Sequence, residues 1–219
     1  MEASFQRREL VDLLHRLDTP DCRGVFVLGG PGIGKTVLLR QLEAELQRQG
    51  RAAFLVSLRG IDVDDLSARI VSEITRLAGA FEVERTIRAS GSDSLRQSSA
   101  VLNLVAERLQ APVLLLDALD ESRYPQRTAA AIEELSHTLC GWRIVVASRP
   151  ACIEVRRFVH FGMLQLGPLA EAEMLAMLRE SAPNLAEDVV GAVVRQANGS
   201  PFFARLMARY VQNHAAPRR

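Results

Sequence analysis

Gly24-Val-Phe-Val-Leu28-Gly29-Gly30-Pro31-Gly32-Ile33-Gly34-Lys35-Thr36-Val37 is the stretch from which the rest of this chain is read. The run Gly24 to Leu28 is apolar, bounded by glycine on both sides, and reads as a buried strand. After it comes G-x-x-x-x-G-K-[ST] in full. From Lys35 to Gln49, Leu38, Leu39, Leu42 and Leu46 share one helical face, and Gly50 supplies the C-terminal stop. Strand, glycine loop and helix in that order let backbone N–H groups turn inward as an anion nest, to which the helix N-terminus adds partial positive charge. Gly30, Pro31, Gly32, Ile33, Gly34, Lys35, Thr36 and Val37 are therefore the candidate phosphate cradle. Lys35 would reach the β- and γ-phosphate oxygens of a nucleotide. The Thr36 hydroxyl would ligate Mg²⁺, an ion that keeps several waters and takes few protein oxygens.

Composition singles out the same lysine. Of 27 basic residues, Lys35 is the sole lysine and the other 26 are arginine. Arginine is a wide planar fork, whereas lysine is a point charge on a thin stem, so Lys35 marks a position where the fork would not serve. The 219 residues suit one domain with a small appended lobe, and 48% hydrophobic against 24% charged excludes wholesale disorder. A net charge of +1 with no basic block gives no nucleic-acid signal. The first residues carry no secretory signal, and charges recur too often for a membrane segment. Cys22, Cys140 and Cys152 are too scattered for a disulfide framework, so a cytoplasmic location is expected. His15, His137, His160 and His214 lack metal spacing, and Trp142 reads as core.

Further along, Val113-Leu-Leu-Leu116 reads as a second buried strand that delivers Asp117 at its C-terminal end, where a Mg²⁺-side carboxylate belongs. Asp120 and Glu121 follow as alternative candidates to polarise an attacking water. Ala52–Leu58, Arg143–Ala147 and Phe161–Leu166 read as further strands. Helices are expected over Arg7–Leu17, Val63–Leu77, Leu102–Leu109 and Thr128–Leu139, with Gly79–Ser99 as a loop. Continuous apolar strands alternating with helices predict an α/β fold, a parallel sheet of about five strands flanked by helices. After Pro168 the strands stop. Glu171–Glu180, Leu185–Gln196 and Pro201–Gln212 read as a small all-helical lobe, dividing the chain into a nucleotide-binding domain (1–166) and a helical lid (167–219).

Val113 to Glu121, VLLLDALDE, resembles the Walker B segment of NACHT and related STAND-class P-loop NTPases. There a small residue follows the first Asp and an acidic pair comes two residues later; AAA+ proteins carry Glu where Ala118 stands. Phe5-Gln-Arg7-Arg8-Glu9 is similar to the class's F-x-G-R-E opening motif, with Arg7 where glycine is usual. By that resemblance Arg8 contacts nucleotide. Ile144 to Pro150 resembles the strand ending in T-S-R-P, which makes Arg149 a γ-phosphate sensor; the residues alone allow a solvated strand end. Gly199-Ser-Pro201 resembles the G-x-P motif whose proline packs near adenine, although a proline also suits the first position of a helix. The separation of Lys35 from Asp117 leaves room for an intervening strand, as in the additional-strand division of P-loop ATPases.

The resemblance implies ATP/ADP and Mg²⁺ as cofactors and a slowly hydrolysing switch module of a larger signalling protein, with self-association through flanking domains. Two other readings are compatible: an AAA+-like ATPase motor or loader, and a nucleotide-stabilised scaffold without turnover.

Overall fold

A computed structural model describes residues 6–78, 95–152, 158 and 160–215. Five strands form one parallel sheet: β1 (Gly24–Leu28), β2 (Ala53–Ser57), β3 (Val113–Asp117), β4 (Arg143–Ser148) and β5 (Phe161–Gln165), in the order β2-β3-β4-β1-β5. The strand between β1 and β3 in space is β4. The one between them in sequence, β2, lies at the sheet edge. An intervening strand is present, but chain topology supplies it from beyond Asp117 rather than from the interval before it.

Every residue of β1 and β3 is buried, as strands covered on both faces require. Alternation sorts them. Val25, Val27, Val113, Leu115, Val145 and Ala147 face α1 (Glu9–Leu17) and α2 (Lys35–Arg48). Phe26, Leu28, Leu114, Leu116, Ile144 and Val146 face α3 (Leu66–Ala78), α4 (Leu95–Ala106) and α5 (Pro125–Thr138). Trp142 is core, as expected, with its indole N–H donating to Leu102 O at 3.1 Å.

Several boundaries differ from the pattern; α3 starts three residues late and α5 three residues early. α1 starts at Glu9, because Arg7 and its backbone N–H are committed elsewhere. α4 covers Leu95–Ala106, so the expected loop is helical over its last five residues, and the helix stops before Leu109. Residues 79–94 of that loop lie outside the described residues.

Beyond β5, α6 (Glu171–Ser181), α7 (Glu187–Ala197) and α8 (Pro201–Ala215) form the all-helical lobe around its own apolar cluster, which includes Leu169, Met174, Leu178, Val194 and Ala204. Gly199 needs to be glycine: its φ is +77°, and a Cβ there would collide with Pro168. Its carbonyl accepts from Leu169 N at 2.9 Å, pinning the start of α8 to the link from the sheet. Ser200 caps α8 by accepting from Phe203 N at 3.4 Å, and Pro201 takes the first helical position.

Candidate functional site

Parallel registration brings the carboxyl ends of the strands to one edge. Leu28 pairs with Ser148, and Ser57 with Asp117. The glycine loop after β1, Asp117 at the end of β3 and Arg149 just past β4 therefore meet there, where open α/β sheets hold ligands. They line a cleft of about 490 Å³ that the lobe completes from above with Leu169, Met177, Pro201, Phe202 and Leu206.

The loop turns through Gly32 and Gly34, at φ +69° and +99°, and α2 begins at Lys35. Only glycine, which has no Cβ, reaches the positive φ of these two positions at little cost. Lys35 Nζ donates to Gly29 O at 2.8 Å and to Gly30 O at 3.0 Å. Burial lowers the Lys35 pKa from the usual lysine range; Arg149 adds to that, while Asp120, Asp117 and Glu121 oppose it.

Thr36 Oγ1 donates to Asp117 Oδ2 at 2.8 Å. A hydroxyl and a carboxylate oxygen so placed are hard donors that fit Mg²⁺, with water and phosphate oxygens completing its shell. Among the described residues no cluster of three His, Cys, Asp or Glu side chains is placed to hold a metal alone.

The two acidic candidates are held differently. Asp120 is nearly buried and pairs with Arg149, Nε to Oδ2 at 2.8 Å. Glu121 is 37% exposed and pairs at 2.6 Å with Arg59, which is 72% exposed. Both acids follow a backbone reversal at Ala118, whose φ of +60° is left-handed. That reversal sends Leu119 into the core and leaves Asp120 and Glu121 on the cleft.

The lobe is seated directly on the loop. Phe202 N donates to Gly32 O at 3.3 Å, and Pro201 Cγ lies 3.8 Å from where a Cβ of Gly34 would stand. Pro201 thus stands beside the glycine loop. Arg8 is exposed at the start of α1 and does not line the cleft; its neighbour Arg7 does. Phe5 lies outside the described residues. Sequence reading also passed over Arg59, Arg205 and Arg209, all of which line the cleft. The one signal available was the i, i+4 spacing of Arg205 and Arg209 on the helix that Pro201 opens.

No helix of the described residues is long and apolar enough to cross a membrane.

Known proteins place this arrangement. Among curated proteins none matches the chain. In fold it is similar to a STAND protein with a tetratricopeptide repeat sensor from Pyrococcus horikoshii, at TM-score 0.57 and 13% identity, over 91% of this chain and 29% of that one. It is similar also to AMPPCP-bound DnaA from Aquifex aeolicus (TM-score 0.60, 17% identity, 96% of this chain and 61% of that one). A Thermotoga maritima RuvB mutant aligns at TM-score 0.60 and 14% identity, over 93% of this chain and 62% of that one. The chain thus spans under a third of the STAND protein and about three-fifths of the DnaA and RuvB chains. These likenesses concern fold, and they do not separate the STAND protein from DnaA or RuvB as the nearer kind. Sequence goes further: residues 4–147, the glycine loop and the Asp117 strand included, match the AAA ATPase domain. With Ala118 in place of the glutamate of AAA+ motors, the chain nevertheless belongs to the AAA ATPase domain family.

Proposed function

We propose that this chain is an ATP-binding, slowly hydrolysing switch module of NACHT-like, STAND type, acting within a larger signalling protein and controlling its nucleotide-dependent self-assembly. The division into a nucleotide-binding domain (1–166) and a helical lid (167–219) belongs to the same proposal. The observation that carries it is the docking of the lobe on the phosphate loop through Phe202 N and Gly32 O. A ligand in the loop touches the element that would move, which is what a hinge-type switch requires.

Within the site, backbone N–H groups from Gly30 to Val37 and the Lys35 ammonium hold the phosphate chain. Thr36 and Asp117 hold the Mg²⁺ that neutralises it. Glu121, the more exposed acid, orients and deprotonates the attacking water. Asp120 fixes the Arg149 guanidinium, which senses the γ-phosphate. Pro201 offers an apolar face, and adenine is the expected base.

The similarity to DnaA and RuvB keeps a second reading, an AAA+-like motor or loader, for which Ala118 is the wrong residue. Single-turnover hydrolysis, with and without a Lys35 substitution, tests the proposal. A slow, Lys35-dependent single turnover supports the switch. Fast multiple turnover favours the motor, and binding without any turnover favours the scaffold.

A further inference from the structure

Arg7 is 3% exposed, and its guanidinium has two backbone acceptors far apart in sequence. Nη1 donates to Ile33 O in the glycine loop at 2.7 Å, and Nη2 donates to Gly167 O, where the chain enters the lobe, at 3.0 Å. Nε lies 3.3 Å from Glu9 Oε2. Nη1 is also 3.4 Å from where a Cβ of Gly34 would stand, on the turn beside Pro201.

A trans peptide points its C=O and N–H to opposite sides. Anchoring the Ile33 carbonyl therefore fixes the direction of the Gly34 N–H, one of the donors of the nest. The same side chain anchors the hinge carbonyl at Gly167. Lysine would supply charge there without the fork that spans two acceptors.

We propose that Arg7 is a positioning residue for phosphate binding, which locks the Ile33–Gly34 peptide in its donating orientation and ties it to the hinge of the helical lobe. The inference rests on the nucleotide reading of the loop and deepens it: the residue standing where the opening motif has glycine becomes part of the phosphate site. Burial lowers the Arg7 pKa, with Glu9 opposing, yet an arginine remains cationic at neutral pH. Its partner carboxylate would be left buried and unpaired by a single apolar substitution, which is destabilising, whereas replacing both members together is far better tolerated.

The test uses two variants, Arg7→Met with Glu9→Met, and Arg7→Lys alone. Each is melted without ligand and then titrated with a fluorescent ATP analogue and with tripolyphosphate, which has no base. Charge-assisted hydrogen bonds of this kind set the expected loss at roughly 10- to 100-fold in the double variant, equal for both ligands. Arg7→Lys is expected to lose less, since it keeps the charge and one bond. A residue that only stabilises the fold would lower the melting temperature and leave the affinity of folded protein unchanged; that result overturns the inference. Should the double variant not fold, wild-type affinity in folded Arg7→Lys overturns it equally. Failure of the wild-type chain to bind either ligand would overturn the nucleotide reading itself, and is distinct from normal wild-type binding that the variants share.

Discussion

The Thr36 hydroxyl and the Asp117 carboxylate meet at 2.8 Å although 81 residues separate them, because β1 and β3 end at the same edge of the sheet. A hydroxyl that donates to a carboxylate orients it, so the pair acts as one unit toward a cation. Asp117→Asn is expected to raise the Mg²⁺ concentration needed for ATP binding about tenfold or more, the scale of losing a partner in a metal site. Titration of Mg²⁺ at fixed ATP measures it. Unchanged Mg²⁺ dependence would remove Asp117 from the site.

Glu121 and Asp120 are expected to differ. Glu121→Gln should bind ATP normally and cut single-turnover hydrolysis by roughly 10²–10⁴-fold, the contribution of a general base. Asp120→Asn frees Arg149 and should cost less. A large loss in Asp120→Asn beside normal turnover in Glu121→Gln would reverse the two roles.

Ala118→Gly should stabilise the chain. A left-handed alanine costs about 1–2 kcal/mol relative to glycine, and the added freedom of the unfolded chain offsets about 0.4–1 kcal/mol of that. The melting temperature should rise by up to a few degrees. A clear fall would mean that the turn at φ +60° is not strained.

Binding should also weaken at alkaline pH. Phosphates bind the protonated Lys35, whose pKa burial lowers from the usual lysine value of about 10.4. As pH rises through that lowered pKa the ammonium is lost and affinity falls, beginning below the ordinary range. Lys35→Arg should bind poorly but show no such fall, since a guanidinium stays protonated. Affinity flat to pH 10 in the wild-type chain would contradict the assignment.

Much of this was legible from local pattern. The strand Gly24–Leu28 and the helix from Lys35 follow from periods of burial that short segments carry in full, and so does the Asp117 strand. Position within the sheet was less legible: β4 lies between β1 and β3 through a crossover that no local pattern encodes. The arginines were hardest. Arg7 looked like a defect in a motif, yet its role depends on carbonyls 26 and 160 residues away. Arg149 carries the mark of a strand ending similar to T-S-R-P and Arg59 carries none, yet each pairs with an acid of the cleft, Asp120 and Glu121 respectively. Among twenty-six arginines, local pattern marks only some of those that line the cleft.

The central claim is that the loop closed by Lys35 holds the phosphates of ATP. Equilibrium titration of a fluorescent ATP analogue into the wild-type chain and into Lys35→Ala, with Mg²⁺ present, tests it most directly. Saturable binding by the wild-type chain and its loss in a folded Lys35→Ala variant is the predicted result; undiminished affinity in that variant would contradict the account.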